Sequence, residues 1–391
     1  MELRWMACAA MALGLACAGG DAGGDDGGPA LDADGSGGSG SGSQMELPDP
    51  FASGGTTYGA GTGTGTGTGT GGSDTGGTGT GTGTDTGTGG ALGECVDDDA
   101  PLSAVSLLQQ VVVLASDDME GRGAGTAGDR AARKLIEHHF ECLGLTPAGE
   151  FDGEYQHEFT DNKGNETANV LAVVEGSDPT VADEVIVLSA HHDGLGIKNG
   201  KIRNGANDNA SGTAALMGIA SVLAKLPEAP RRTIVLAAFG SEEVNLDGSY
   251  HYTEHPPDDY PVEDVVYVVN LDMIGTFEHN EGVWVYGSFD GTPGRDIVES
   301  LVPAQLLGDF FTLGEGAAAD SDYAAFCDWG IPYVYFETFD VECYHEACDD
   351  AGRLDAENLA MLTQLGYDVL LELANTDLDL PAIRDEIGCP Y

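Results

Sequence analysis

Hydrophobic positions recur at helical spacing over residues 103–115 and 127–143, with Thr126 placed to cap the second stretch and Gly144 to stop it. Beyond them the pattern changes to short continuous runs of β-branched and aromatic residues. Asn169–Val174, Val185–Ser189, Thr233–Ala238, Val265–Asn270, Val283–Tyr286 and Pro332–Phe336 are predicted as strands. Helices are predicted between several of them, at Gly212–Lys225 and Pro293–Leu301, and a last amphipathic one over about Asp355–Leu373. Apolar strands alternating with helices predict an α/β fold, a mostly parallel mixed central sheet with helices on both faces. In such folds ligands gather beyond the carboxyl ends of the strands.

Composition divides the chain. Gly supplies 60 of the 391 residues and crowds into a run of Gly, Thr, Ser and Asp over residues 18–95, which has too few apolar side chains to bury a core. That run is expected to be a disordered linker, leaving residues 96–391 as one folded α/β domain. Ahead of it, Arg4 precedes an apolar stretch, Met6–Ala16, too short to span a bilayer. The stretch ends in Gly14-Leu15-Ala16-Cys17, so residues 1–17 are expected to be an export signal of the lipoprotein type, with Cys17 the acylated residue. Gly14 departs from the Leu usual at its position in such sites.

A formal net charge of −51 excludes nucleic acid and anionic lipid surfaces as partners, leaving a lipid at Cys17 as the one membrane contact expected. Such a surface could hold calcium loosely, though nothing in the pattern calls for it. Cys95, Cys142, Cys327, Cys343, Cys348 and Cys389 form an even set in a chain expected to be exported, which favours disulfides. Their pairing is not legible from spacing, except that Cys343 and Cys348 bracket a short loop they could close. No Cys-x-x-Cys pair suggests a zinc finger.

Candidate ligands stand where predicted strands end. VIVLSA leads into His191, His192 and Asp193; TIVLAAFGS into Glu242 and Glu243; VVYVVNL into Asp272. Singly each is weak, since a Glu pair before a helix is ordinarily an acidic first turn complementing the helix dipole. Together they mark one edge of one sheet. GANDNASG sets Asp208 on a Gly-flanked turn at a helix start, and YHEACDD sets His345 in the Cys-bracketed loop. Two imidazoles with several carboxylates suit a pair of divalent zinc ions.

SAHHDGLG, GANDNASGTAAL, GSEEVNLDGS, NLDMIG, SDYAAF with GIP, and CYHEACD resemble, in order and spacing, the successive motifs of the co-catalytic zinc aminopeptidases, metallopeptidase family 28. The opening ASDDMEGRGAGTAGDRAA resembles that family's lead-in, and the likeness runs from about Leu102 to Leu373. It implies the zinc exopeptidase fold and two zinc ions per chain. Asp208 would bridge both, His191 and Asp272 completing one set and Glu243 and His345 the other. Glu242 would be general base to a water shared by the ions, and Tyr344 would steady the oxyanion. Asp193 would orient His191, while His192 points away, as alternation in extended chain requires. Met273 and Tyr323 would border the pocket for the first side chain. Asp349 would order the His345 loop, and Cys343–Cys348 would match a disulfide found around this His in some secreted members. A cis peptide is implied between Asp208 and Asn209. Asp350 stands where the family often has Thr. The implied substrates are peptides with a free N-terminus, met outside the cell or at its envelope.

Three other readings stay open. Glutaminyl cyclases share the fold with a single zinc; a carboxypeptidase of the same fold would need a cationic pocket in this Arg-poor chain. A binding protein on a lapsed peptidase scaffold would have lost ligands that are all present here.

Overall fold

The structure, a computed structural model, describes residues 95–149, 153–277, 282–314, 316 and 320–389. The expected export signal and, but for Cys95, the expected linker lie outside them.

The first helix, α1 (Ala104–Leu114), is capped by Ser103, whose side chain accepts the N–H of Ser106. The second, α2 (Ala127–Leu143), starts where Thr126 accepts from the N–H of Asp129 and stops at Gly144, whose φ of 67° is a left-handed cap. Eleven strands follow: β1 (Thr146–Pro147), β2 (Gln156–Thr160), β3 (Glu166–Val174), β4 (Val185–His191), β5 (Gly196–Lys198), β6 (Lys201–Arg203), β7 (Thr233–Phe239), β8 (Val265–Leu271), β9 (Val283–Tyr286), β10 (Phe311–Leu313) and β11 (Tyr333–Glu337). Among the described residues the further α-helices are α3 (Gly212–Leu223), α4 (Asp247–Glu254), α5 (Pro293–Leu301), α6 (Tyr323–Cys327), α7 (Ala356–Asn375) and α8 (Leu380–Ile387).

Nine strands make one sheet in the order β1-β3-β7-β4-β8-β11-β9-β10, with β2 also on β3; β5 and β6 form a separate hairpin. Its centre is parallel, β7 on β4, β4 on β8 and β8 on β11, while β3 meets β7 and β9 meets β11 antiparallel. Alternation along β4 feeds two cores. Ile186 and Leu188 face α1, α2, α3 and α7, whereas Val187 faces the side that holds Tyr252, Phe326 and Tyr333. Because both faces are covered, the central strands β4, β7, β8 and β11 are buried at every residue.

The predicted strands and helices agree with the observed ones to within about three residues at their ends. What the pattern missed is short or polar: β1, β2 (QHEFT), the β5–β6 hairpin, β10, α4, α6 and α8. These elements are ordered by their neighbours in the fold, and none carries enough apolar period to announce itself. The disulfides join Cys95 to Cys142, Cys327 to Cys389 and Cys343 to Cys348.

Candidate metal centre

Parallel pairing aligns the strand ends. His191, the last residue of β4, pairs with Phe239 of β7, and Leu271 of β8 pairs with Phe336 of β11. Glu242 and Glu243 therefore emerge just beyond β7, and Asp272 just beyond β8, on the edge where β4 delivers His191. The chain leaves β4 toward β7 and re-enters the sheet on the other side as β8, which opens a crevice at this edge. The turn Ala206–Ser211, with a cis peptide at Asp208–Asn209, brings in Asp208. The loop after β11 brings in His345 at a φ of 58°.

These five side chains form two overlapping triads, His191–Asp208–Asp272 and Asp208–Glu243–His345. His191 Nε2 lies 3.2 Å from Asp272 Oδ1 and 3.4 Å from Asp208 Oδ1. His345 Nε2 lies 3.2 Å from Asp208 Oδ2 and 3.5 Å from Glu243 Oε2. Asp208 thus offers one oxygen to each set. Tetrahedral zinc with bonds of 2.0–2.1 Å needs ligand atoms about 3.3–3.4 Å apart, and the observed edges bracket that spacing. The donor set, imidazole and carboxylate, is what zinc takes.

Electrostatics point the same way. Burial, and then Asp208, push Glu243 up to about 8. Burial also lifts Glu242 well above the ordinary carboxyl range, with Asp272, Asp322 and Glu243 adding to it. Burial opposes charge on His191, yet Asp272 and Glu242 carry its pKa well above the imidazole norm. Hydrogen bonding to Asp208 likewise raises His345. Carboxyl groups and imidazoles that are both pushed upward beside one another describe a site short of positive charge.

Residues around the triads hold them in place. Asp193 accepts the backbone N–H groups of Glu242 (3.0 Å) and Glu243 (3.3 Å), and its Oδ1 lies 3.6 Å from His191 Nδ1. Asp349 accepts the N–H groups of Asn207 (2.8 Å) and Asp208 (3.1 Å), tying the His345 loop to the Asp208 turn. Tyr344 is 40% exposed and stacks on His345 with ring centroids 3.8 Å apart. His192 turns away from the cluster to Asp129 Oδ1 at 3.2 Å. Met273 is buried at a φ of 54°, its N–H donating to Asn209 Oδ1. Tyr323 has no exposed surface, its ring stacks on Tyr333 and Tyr335, and its hydroxyl donates to Asp320 Oδ1.

Several supporting residues escaped the sequence reading. Ser189 Oγ donates to Asn270 Oδ1, Asn270 Nδ2 to Ser321 Oγ, and Ser321 Oγ to Asp272 Oδ2 at 2.8 Å, a relay that aims Asp272. Asn209 accepts from the N–H of Met273 and donates to the carbonyl of Leu271, binding the Asp208 turn to the end of β8. Asn207 donates to Thr338 O and accepts from the N–H of Gly275. Only contact across the sheet edge reveals these partners; neither spacing nor composition marks them.

The model of peptidase family M28 matches residues 169–369. Aminopeptidase YwaD of Bacillus subtilis is 31% identical over 183 residues, covering 45% of this chain and 38% of its own length. The chain thus spans well under half of that relative. Among solved structures, the zinc aminopeptidase BSAP of Bacillus subtilis superposes with a TM-score of 0.57 at 16% identity, over 74% of this chain and all of that one. A glutaminyl cyclase of Porphyromonas gingivalis has the same fold too, with a TM-score of 0.57 at 20% identity over 69% of this chain and 98% of its own. With a family match over half its length and the same fold, the chain belongs to peptidase family M28.

Proposed function

We propose that this chain is an exported aminopeptidase that removes residues from peptides with a free N-terminus, using two zinc ions and Glu242 as general base. The observation that carries this reading is Asp208, whose two oxygens each face a separate triad at ligand-to-ligand spacing. His191, Asp208 and Asp272 would hold one ion, and Asp208, Glu243 and His345 the other. Bound there, zinc supplies Lewis acidity toward a scissile carbonyl and toward water.

The chain's own residues do the rest. Glu242 belongs to neither triad, yet its Oε2 is 3.9 Å from His191 Nε2. From there its carboxylate takes the proton of the attacking water and returns it to the leaving amine. Asp193 keeps Glu242 and Glu243 on the site side of their turn by holding both N–H groups. Tyr344, above His345, offers its hydroxyl to the oxygen on which negative charge develops. The acidic surround favours a substrate's free amine. Among the described residues Arg122 donates to main-chain carbonyls, Arg203 pairs with Glu346 and Arg353 with Asp340. This argues against a carboxypeptidase, which must grip a terminal carboxylate. Three disulfides suit an oxidising compartment, and acylation at Cys17 would make the chain a cell-envelope lipoprotein rather than a secreted one. Among the described residues no helix is long and apolar enough to cross a membrane.

The purified chain should carry about two zinc ions by elemental analysis and release the chromophore from a leucyl amide. Cyclisation of a glutaminyl substrate with a single zinc and no leucyl amide hydrolysis would replace this reading with the cyclase one, which the Porphyromonas neighbour keeps in play.

A further inference from the structure

Arg122 is fully buried, at a φ of 52° that bulky residues seldom adopt. It ends a short 3-10 stretch, Asp117–Arg122, ahead of α2. Nε donates to the carbonyl of His192 at 2.8 Å, and Nη1 to those of Leu114 (2.8 Å) and Asn204 (2.7 Å). Nη2 donates to the carbonyl of Gly205 at 2.8 Å. No carboxylate among the described residues forms an ion pair with it. A buried guanidinium spent wholly on neutral carbonyls is a costly arrangement, stable only where its geometry serves several segments together.

The segments it joins are those that carry the ligands. His192 follows His191 directly, and Gly205 lies three residues before Asp208. The main chain of Arg122 adds to the link, its carbonyl accepting the N–H of Gly194 at 3.2 Å. Gly205 is required by the turn itself and leaves room for the fork: at its φ of 58°, an added Cβ would lie 2.2 Å from the carbonyl oxygen of Asp208 and 3.0 Å from Nη2. The charges of Asp349, Asp193, Asp208 and Glu243 offset part of the burial that lowers the pKa of Arg122.

We propose that Arg122 is a positioning residue for the metal centre: its planar fork locks the His191 strand end to the Gly205–Asp208 turn, so that the two are in register before any ion arrives. The inference rests on the two-ion reading of the site. Lysine cannot take its place, because a single ammonium on a flexible stem cannot span four carbonyls from three segments.

Zinc alone is the probe. Arg122→Lys and, separately, Gly205→Ala, whose Cβ would press on the Asp208 main chain as well as on the clamp, are titrated against a chromophoric chelator, and affinity is referred to the folded fraction measured by circular dichroism. Both should bind zinc about 10–100-fold more weakly than wild type. Their kcat should return at saturating zinc, which lost folding alone would not produce. Hydrogen exchange on the zinc-free wild-type chain is independent of whether either variant folds. The amides of His192 and of Asn207–Ala210 should stay protected; exchange as fast as in an exposed loop overturns the inference. Wild type that binds zinc while both variants match its affinity overturns the inference alone. Wild type that takes up no zinc removes the metal reading and this one with it.

Discussion

The two halves of the candidate centre are built by different means. His191 is 1% exposed and Asp272 6%, both at the ends of central parallel strands, with Asp272 aimed by Ser321. The His345 side chain is 39% exposed on a loop. That loop is held by Asp349, the Cys343–Cys348 bridge and Asp340 with its partner Arg353. The first half is placed by the sheet, whose register cannot shift without moving the whole core. The second is placed by local contacts that can loosen while the fold stays intact. Joined by Asp208, a rigid half would fix the geometry and a more open one would admit exchange with solvent and substrate.

The largest expected effect separates chemistry from ligation altogether. Glu242→Gln should keep zinc content while turnover of a leucyl amide falls ~10²–10⁴-fold; unchanged turnover removes Glu242 from the mechanism. The next sets the halves against each other. In the zinc-free chain, His191→Ala strands buried Asp272 and Asp208 and should cost about 3–5 kcal/mol by urea unfolding. His345→Ala removes an imidazole whose side chain is 39% exposed and can be replaced by water, and should cost less than His191→Ala. Equal losses would end the distinction between a sheet-held and a loop-held half.

Disulfides sharpen it further. Cys95–Cys142 and Cys327–Cys389 close loops with sequence separations of 47 and 62, worth about 4 kcal/mol each by loop-closure entropy. Cys343–Cys348 spans a separation of 5 and is worth about 2 kcal/mol. Cys343→Ser/Cys348→Ser should therefore shift the unfolding midpoint least of the three pairs, yet it should be the pair whose loss weakens zinc binding.

The smallest effect lies away from the centre. His157, buried between β2 and α4 against His251 and His255, is pushed down to about 4 from 6.5 by burial first and His251 next. The unfolded chain therefore takes up this proton first. Stability from His157 is complete above pH 6.5, falls as pH drops toward 4, and is reduced by about 2 kcal/mol at pH 5. A His157→Gln variant should flatten that part of the pH–stability curve; an unaltered curve would assign the acid sensitivity to another group.

Much of this was legible in the residues. Unbroken runs such as VIVLSA and TIVLAAF declare buried parallel strands because both faces must be apolar, and ligands follow them because strand ends are where backbone stops and side chains can converge. His191, Asp208, Glu243, Asp272 and His345 were nominated on that ground and on resemblance to a family, and the structure brings all five within two triads. What the motif does not convey is the setting of Tyr323, whose ring stacks on Tyr333.

By itself, then, the sequence determined which side chains are available for chemistry and on which edge of the sheet they emerge, because strand periodicity is a local property. Tertiary structure alone decided that Asp208 faces both imidazoles, that Ser321 aims Asp272, and that Arg122 clamps two loops from some seventy to eighty residues away along the chain. Those are long-range contacts, set by how strands stack and loops cross, and no spacing along a chain encodes a distance through space.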